Sequence, residues 1–397
     1  MQRTRHPFLT FRKDPQLLAR LRRSPRQGPR LLFFSGGTAL RELSTLITTY
    51  THNSVHIVTP FDSGGSSAVI RHVFDMLAVG DLRNRLLALA DRSCDGYPAI
   101  LEMMGFRFPL HADNNDLLSQ LERMISGRHP LTEPIPAPAR DTLTGLLGAF
   151  LAAMPRCFDL RGASIGNLVL AGGFLSQHRH IEPVIRLFSS LVQVRGVVRP
   201  VLEKNLHLAA TLHDGSTVIG QHLLTGKETR PLASPIRRLF LTEALHSPEP
   251  VRPAITKEIE NLITRADLIC YPIGSFYTSL VANLLPAGVG RAISRNPCPK
   301  VFVPNLAPDP EQIGMTLEST LKALLDALRA DCDPPLPKDK LLDAILIDAR
   351  HGTYPLPLDI DGLKRTGMHF LETELCNEDN PTMIDAHKLL VALLHLV

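Results

Sequence analysis

The sequence predicts an α/β protein with a Rossmann-like, mostly parallel sheet flanked by helices. Short apolar runs of the length of buried strands, such as residues 31–34 and 55–58, alternate with segments of helical periodicity. Loops rich in glycine and serine follow several of these runs. Strands that alternate with helices form parallel sheets through right-handed crossovers, and we expect these loops at one edge of the sheet.

The predicted elements follow this alternation along the chain. A basic arm over residues 1–29 contains a helix at 16–23, and the α/β domain occupies residues 30–397. Apolar runs predict strands at residues 31–34, 56–58, 267–271, 300–304, 344–348 and 370–374. Apolar faces at helical spacing predict helices at residues 39–50, 66–76, 253–264, 280–285, 312–329 and 382–396.

Two segments depart from this alternation. Residues from about 92 to 163 form a helical insertion, with helices predicted at residues 117–125 and 142–153. Residues from about 190 to 245 form a small β-rich segment, with strands predicted at residues 193–197, 207–212, 217–221 and 236–241. Asp214-Gly215 predicts a hairpin inside this segment, because the dipeptide tolerates positive φ.

The composition limits the function classes. Apolar residues make up 44% of the 397 residues and charged residues 21%, which is typical of a globular protein with a large core. The chain has no tryptophan and only 5% aromatic residues, so it has few side chains on which bases of single-stranded nucleic acid would stack. Nucleic acid is therefore a disfavoured partner.

The net charge of +4 comes from the residues before the first strand, where nine basic residues face only Asp14. These residues are Arg3, Arg5, Arg12, Lys13, Arg20, Arg22, Arg23, Arg26 and Arg30. Such an arm either binds polyanions or packs as a solvated N-terminal helix, and the second interpretation is favoured.

The cysteines and the hydropathy pattern favour a cytoplasmic protein. The six cysteines are scattered with no pair at metal-ligand spacing, which suits a reducing compartment. No apolar run approaches the ~18–20 residues of a membrane span. The basic N-terminus lacks the apolar region of a secretory signal.

The first glycine loop, at the end of the first strand, is Ser35-Gly36-Gly37-Thr38. A glycine turn lets the backbone approach a ligand, and the helix that follows offers unpaired N–H groups. The loop lacks the three glycines in register of a dinucleotide-binding loop and the Gly-Lys-Ser/Thr of a Walker A loop. Phosphate binding and a plain tight turn both remain open.

The second loop is a stronger candidate for anion binding. It reads Asp62-Ser63-Gly64-Gly65-Ser66-Ser67, so two glycines free the backbone N–H groups and the serines add donors. Ser66 or Ser67 could also cap the next helix. A carboxylate beside a bound phosphate is a usual arrangement for Mg²⁺, which makes Asp62 a candidate metal ligand. The alternative is that Asp62 caps the turn.

Three further sites extend this set. Asp81 and Asn84 share a helix face if the Gly80-Asp81 turn continues as helix, so they either bind ligand or cap that helix through Asp81. Asn167 begins an apolar helix, where it is either a ligand-binding residue or an N-cap. The third loop repeats the anion-binding composition with Gly274, Ser275, Thr278 and Ser279.

Taken together, these stretches resemble the CofD/YvcK superfamily, which includes the 2-phospho-L-lactate transferases and the YvcK-type gluconeogenesis or cell-morphology factors. The resemblance rests on the order and spacing of the three loops, with Gly80-Asp81-Leu82-Arg83-Asn84 and Gly166-Asn167-Leu168 between the second and the third. Two residues depart from the YvcK pattern, since Ser63 replaces a second aspartate and Ala39 replaces a glycine. These departures suggest a divergent branch, of the kind found in the so-called GAK gene system.

The resemblance implies a ligand at the carboxyl edge of a Rossmann-like sheet. CofD-type members use Mg²⁺ and move a phospholactyl or phosphoenolpyruvyl group from a guanosine-diphosphate-linked donor to an acceptor hydroxyl. YvcK-type members bind a nucleotide sugar without established catalysis. Both possibilities imply a small nucleoside-diphosphate ligand, linked to guanosine or to uridine. Apolar helices at residues 280–285 and 389–396 suit either the core or a homodimer contact.

On the transferase interpretation, each candidate residue has an expected role. Asp62 holds Mg²⁺, and Asp62 or Asp81 assists as a base. The remaining residues bind the substrate or its nucleotide, and they are Gly36, Gly37, Thr38, Ser63, Gly64, Gly65, Ser66, Ser67, Asn84, Asn167, Gly274, Ser275, Thr278 and Ser279.

Overall fold

A computed structural model describes residues 9–12, 14–226, 230–330, 332, 334–355, 359–365 and 367–397. Arg3, Arg5 and Lys13 of the predicted basic arm lie outside these residues. The chain divides into two compact units. The sheet unit comprises Met1–Thr59, Arg195–Leu202 and Leu206–Val397, and the helical unit comprises Pro60–Val194 and Glu203–Asn205. The predicted division into an arm and a domain with an insertion stays a prediction.

The described residues form the following strands and helices. The strands are β1 (Leu31–Ser35), β2 (Val55–Val58), β3 (Val197–Pro200), β4 (His207–Leu212), β5 (Thr217–Ile219), β6 (Ile236–Thr242), β7 (Leu268–Tyr271), β8 (Lys300–Phe302), β9 (Ala344–Ile347) and β10 (Phe370–Glu372). The helices are α1 (Leu17–Arg23), α2 (Arg41–Ile47), α3 (Gly65–Phe74), α4 (Gly80–Ala88), α5 (Tyr97–Gly105), α6 (Asn114–Ile125), α7 (Ala137–Ala153), α8 (Ile165–Ser176), α9 (Ile181–Leu191), α10 (Gln221–Thr225), α11 (Lys257–Thr264), α12 (Ala282–Leu284), α13 (Val289–Arg295), α14 (Leu317–Arg329), α15 (Ile360–Arg365) and α16 (Ala386–Leu394).

A seven-stranded parallel sheet organises the sheet unit, in the order β10-β9-β8-β7-β1-β2-β3. Every residue of β1 is buried, as the continuous apolar run predicts for a strand covered on both faces. The strand order reverses between β1 and β7, which is the topological switch point where ligands bind in sheets of this kind. The α/β, Rossmann-like fold class is therefore confirmed.

A second sheet in the same unit is small and antiparallel, in the order β5-β4-β6. The predicted hairpin joins β4 and β5, since Gly215 has φ +87° and the backbone N–H of Ser216 donates to Asp214 Oδ1 at 2.9 Å. The chain thus forms the β-rich segment that the sequence indicated.

The helical unit contains α3 to α9. Its helices α7 and α8 pack closely because α8 carries small residues where the two backbones meet. A Cβ on Gly172 would lie 2.9 Å from the backbone nitrogen of Phe150 and would also collide with the carbonyl oxygen of Leu146.

Several predicted boundaries were wrong. The strand expected at 193–197 is instead β3, which begins at Val197, because Gln193 adopts a left-handed φ of +47° and ends the preceding helix. The helix expected at 253–264 begins at Lys257, where the Thr256 hydroxyl accepts a hydrogen bond from the third helical N–H. Among the described residues, no helix has the length and apolar character to cross a membrane.

Candidate functional site

Two of the predicted glycine loops meet at the switch point of the sheet unit. One follows β1 at Gly36 and the other follows β7 at Gly274. Gly274 has φ +133°, a conformation that other residues rarely adopt, and a Cβ built on it would lie 3.5 Å from the Cβ of Ala39. The two loops are therefore in contact at the carboxyl ends of adjacent strands, where sheets of this kind have their ligand crevice, and we call this place the switch-point crevice.

Asn283 holds these two loops together. Its amide nitrogen donates to the carbonyl oxygen of Ser35 at 3.1 Å and to that of Ser279 at 2.8 Å. Within the described part of the chain, Asn283 Oδ1 and Ser35 Oγ are buried polar atoms without a hydrogen-bond partner. Buried polar atoms in this state are uncommon, and they mark the crevice as a place where a polar ligand would be favourable. The sequence analysis assigned no role to either residue.

In the third loop, acidic side chains of the chain itself accept hydrogen bonds from the backbone N–H groups. Asp309 Oδ2 accepts from the backbone N–H of Phe276 at 2.7 Å. Glu311 Oε2 accepts from the backbone N–H groups of Tyr277 and Thr278 at 2.9 and 2.8 Å. The N–H groups that would bind a phosphate at this π-helical turn, Phe276–Val281, are thus satisfied by carboxylates of the chain itself.

Two further donors of the third loop are also occupied by side chains of the chain itself, so fewer of its polar groups are left for a ligand. The backbone N–H of Gly274 donates to Asn305 Oδ1 at 2.9 Å, and the hydroxyl of Thr278 donates to Glu311. Ser275 and Ser279 are half-buried. The backbone N–H of Gly274 and the hydroxyl of Thr278 thus have partners within the chain, and the anion-binding roles of Gly274, Ser275, Thr278 and Ser279 stay predictions.

In the helical unit, the second loop forms a turn closed by its own aspartate. The backbone N–H of Gly64 donates to Asp62 Oδ1 at 3.1 Å, as the turn-capping alternative predicted. Helix α3 begins at Gly65 after Gly64, so Ser66 and Ser67 lie inside the first turn and do not cap it. Their hydroxyls are buried and are available to other partners in the unit.

Asp62 Oδ2 and the hydroxyl of Ser67 border a small space beside Gly80. A Cβ built on Gly80 would lie 3.2 Å from each of these oxygens. Helix α4 begins at Gly80, with apolar Val79 before it, so Asp81 and Asn84 lie on the helix as expected and Asp81 is not its N-cap. Oxygen atoms are thus gathered around the first turn of α4.

The guanidinium of Arg83 joins the two predicted asparagines. Its Nη2 donates to Asn84 Oδ1 and its Nη1 to Asn167 Oδ1, both at 2.9 Å, and Nη1 also bonds the hydroxyl of Ser164. Asn167 is the third residue of α8 and is 2% exposed, so the N-cap alternative is wrong. Its amide nitrogen donates to Ser66 Oγ at 3.3 Å.

Two further arginines complete this cluster. Arg71 Nη1 donates to the carbonyl oxygens of Phe61 and Asp62, at 3.1 and 2.9 Å, and so fixes the loop from behind. Arg107 Nη1 donates to Ser66 Oγ at 3.3 Å and to the carbonyl oxygen of Gly162 at 2.6 Å. The sequence analysis assigned no role to these arginines or to Arg83, although Arg83 lies inside the quoted Gly80–Asn84 motif.

The charges in the cluster oppose one another. The pKa values of Arg71, Arg83 and Arg85 are lowered to about 10, mainly by burial and, for Arg83, also by the neighbouring charge of Arg107. The carboxylates of Asp62 and Asp81 act in the opposite direction on these arginines. All three guanidiniums therefore stay charged at neutral pH, and the cluster presents cationic and carboxylate groups together.

The oxygen atoms beside Gly80 are of the type that binds Mg²⁺. Mg²⁺ prefers oxygen ligands and is usually bound by one or two carboxylates together with water and substrate phosphate oxygens. Asp62 Oδ2 and Ser67 Oγ are of this type. Among the described residues, no group of three or more His, Cys, Asp or Glu side chains could hold a metal on its own. A magnesium ion here would need ligands from a substrate.

A family model described as 2-phospho-L-lactate transferase CofD matches residues 31–376. The chain belongs to this CofD family. The gluconeogenesis factor of Bacillus subtilis is 26% identical over 388 residues, which cover 94% of this chain and 99% of that relative. The gluconeogenesis factor of Halalkalibacterium halodurans is 29% identical over 298 residues, covering 75% of this chain and 73% of the relative.

The fold also matches that of a solved structure. A crystal structure of a UPF0052 family member from Bacillus halodurans superposes with a TM-score of 0.68 at 24% identity. The match covers 92% of this chain and 99% of that one, and it supports the fold. The superfamily expected from the three loops is thus confirmed. The expectation that Gly37, Asp62 and Ser275 meet at one rim stays a prediction.

Proposed function

We propose that this CofD family protein is a transferase that binds a nucleoside-diphosphate-linked donor. It moves a phospholactyl- or phosphoenolpyruvyl-type group to an acceptor hydroxyl. The observation that carries the proposal is the crevice at the switch point of the sheet unit. There Gly36 and Gly274 belong to contacting loops, and the buried Ser35 Oγ and Asn283 Oδ1 lack partners within the described residues.

The sheet unit would bind the nucleotide part of the donor. Backbone groups of Gly36, Gly37 and Thr38 would contact the diphosphate, because glycine lets the chain approach a phosphate closely. Ser275 and Ser279 are half-buried on the neighbouring loop and would add hydroxyl donors. A π-helical turn follows Ser275, and such turns are frequent at functional sites.

The helical unit would handle the charge of an anionic group. Phosphoryl transfer depends mainly on positioning and charge stabilisation, so a covalent nucleophile on the protein is unnecessary. Arg83 and Arg107 would neutralise negative charge, and Asn84 and Asn167 would orient the bound group from either side of Arg83. Mg²⁺ held by Asp62 would supply further neutralisation of phosphate charge.

The reaction balances without any redox partner. The acceptor oxygen forms a bond to the phosphorus that carries the lactyl or pyruvyl group, and the bond from that phosphorus to the bridging oxygen breaks. The nucleoside monophosphate leaves, and the acceptor's proton passes to a carboxylate. Asp81, in the first turn of α4, is the candidate base.

The test is a transfer assay on the full chain with Mg²⁺, the guanosine-linked phospholactyl donor and a deazaflavin acceptor. We expect release of GMP that depends on both substrates. An Asp62→Asn variant should lose this release, and an Asp75→Asn variant of the same unit should keep it. If GMP is not released while an authentic CofD enzyme is active in the same assay, this substrate pair is rejected.

A second function is favoured by two specific observations. The relatives described above are named gluconeogenesis factors, and Ser63 leaves Asp62 as the one carboxylate of its loop. Both observations suit a regulatory protein that binds a nucleotide sugar without catalysis. A thermal-shift panel of nucleotides separates the two functions, since a ligand that binds the native state raises the unfolding temperature. Stabilisation by UDP-sugars alone would favour the regulatory function.

A further inference from the structure

A groove borders the small antiparallel sheet of the sheet unit. Its lining includes Tyr277 and Val281 of the π-helical turn but none of the residues assigned above to the switch-point crevice. Its volume is about 980 Å³, and its walls are β6 and α14. All seven residues from 235 to 241 line it in succession. Side chains alternate between the two faces of a strand, so an unbroken lining run means that the edge of β6, and not one face, borders the groove.

The edge of β6 is competent to pair with another strand. In the described sheet β6 pairs with β4 on one side and lies at the edge on the other. The chain itself uses that outer edge once, where the backbone N–H of Val251 donates to the carbonyl oxygen of Leu241 at 2.8 Å in an isolated antiparallel bridge. Because backbone groups alternate in direction along a strand, Leu239 presents its own groups to the same side as Leu241.

The groove is cationic. Arg237 and Arg238 are consecutive, yet both are exposed, because the register with β4 shifts at this point. Arg252 adds a third positive charge to the lining, and Lys322 forms an ion pair with Asp326, the one carboxylate among the described lining residues. The charge of the groove therefore favours an acidic occupant.

The rest of the lining is apolar. Val281, Leu285 and Ile313 are apolar residues of the same lining. A strand that alternates acidic and apolar residues would present one face to the arginines and the other to these side chains. A compact anion such as a free phosphate would use the charges and leave the strand edge and the apolar surface unused.

We propose that β6 binds an extended acidic peptide segment of a partner protein as an added antiparallel strand. Main-chain hydrogen bonds to the edge near Leu239 supply affinity, and Arg237 and Arg238 select acidic side chains. The single bridge between Leu241 and Val251 shows the pairing geometry that the peptide would continue along the strand. This binding surface is separate from the proposed transferase chemistry and does not depend on it.

The test uses the full chain and a fluorescein-labelled, capped decapeptide of alternating glutamate and valine, followed by fluorescence anisotropy. We expect saturable binding that weakens with added salt. A peptide of alternating lysine and valine should not bind. A third peptide keeps the glutamates but carries N-methyl groups on alternate amides, which removes its strand-pairing donors, and it should bind at least about tenfold more weakly.

The variants locate the site. The double variant Arg237→Glu with Arg238→Glu should weaken binding of the glutamate peptide at least about tenfold. Lys322→Glu, on the α14 wall of the groove, should also weaken binding of this peptide. The matched control is Arg22→Glu with Arg23→Glu, which makes the same charge change at two consecutive exposed residues of α1 and should leave binding within about twofold. Circular dichroism and thermal unfolding check that each variant is folded.

Four outcomes would overturn the proposal. They are absence of saturable binding up to about 1 mM peptide, equal binding of the N-methylated peptide, equal loss in the α1 control, and stronger binding of a decamer RNA that displaces the glutamate peptide. Equal binding of the N-methylated peptide would show that the groove is only a general cationic surface. Displacement of the peptide by RNA would show that nucleic acid is the ligand of the groove.

Discussion

The third loop of the sheet unit and the second loop of the helical unit have similar compositions but satisfy their polar groups in opposite ways. At the third loop, Asp309 and Glu311 occupy the N–H groups that an anion would use. At the second loop, Arg107 donates to the hydroxyl of Ser66, and the nearby guanidinium of Arg83 adds positive charge. Glycine and serine at a helix start therefore do not determine anion binding by themselves, because the side chains that pack against the loop decide it.

The largest expected effect concerns the guanidinium that organises the helical unit. Replacing Arg83 with leucine removes hydrogen bonds to Asn84, Asn167 and Ser164 and leaves these groups without a donor. Hydrogen bonds to a charged group contribute about 1.5–3 kcal/mol each, but leucine also removes the cost of burying the charge of Arg83. We therefore expect a net loss of about 2–4 kcal/mol in the free energy of unfolding. Urea denaturation followed by circular dichroism measures it.

The matched control for this variant is Arg83→Lys. Lysine keeps the positive charge but lacks the planar fork that reaches both asparagines. We expect it to recover part of the stability and little of the binding of an anionic nucleotide. Equal recovery of both properties would mean that charge alone, and not the link between Asn84 and Asn167, is what the cluster requires.

The second effect tests the carboxylates of the third loop through pH. Burial, and then the charge of Asp309, raise the pKa of Glu311 from its ordinary 4.5 to about 7. Between these values the native state keeps a proton that the unfolded state releases. The contribution of Glu311 is thus fully favourable below pH 4.5 and is lost as the pH rises towards 7, by up to about 3 kcal/mol.

This loss is measured as a difference between two proteins. Glu311→Gln keeps an oxygen that accepts from the N–H groups of Tyr277 and Thr278 but does not titrate. Between pH 4.5 and 7 we expect the free energy of unfolding of the variant to rise relative to that of the wild type. Above pH 7 the difference between the two should stay constant. A difference that does not change with pH would show that Glu311 is ionised throughout this range.

The sequence was sufficient to predict the sheet and the positions of the glycine loops. It was not sufficient to predict which side chains pack against the second and third loops. The apolar run of β1 and the Asp214-Gly215 hairpin depend on neighbouring residues, and local patterns predict such features well. Glu311 and Asp309 lie more than 30 residues from the N–H groups that they cap, and Arg107 lies 41 residues from Ser66. Contacts at these separations depend on how elements pack, which one sequence does not encode as a local pattern.

The third effect is steric and tests whether the position of Arg83 matters. A Cβ on Gly166 would lie 2.5 Å from Arg83 Cδ and would collide with the carbonyl oxygen of Met104. Gly166→Ala should therefore displace Arg83 and destabilise the fold by about 1–3 kcal/mol. Gly145→Ala is the control, because a Cβ there meets no atom within 4 Å. Equal stability of both variants, measured by urea denaturation, would show that Arg83 and Met104 move to accept the methyl group without strain.

The smallest effect on stability, and the most specific for function, is expected at Asp62. Asparagine keeps an oxygen that accepts from the backbone N–H of Gly64, so Asp62→Asn should change the free energy of unfolding by less than about 1 kcal/mol. It removes the negative charge that Mg²⁺ needs, and calorimetry should show that Mg²⁺ no longer strengthens nucleotide binding. The arginines remain, so nucleotide binding without Mg²⁺ should persist or become tighter. If Mg²⁺ strengthens binding equally in both proteins, Asp62 serves only to close its turn, and the second loop then resembles the third in using its carboxylate for structure alone.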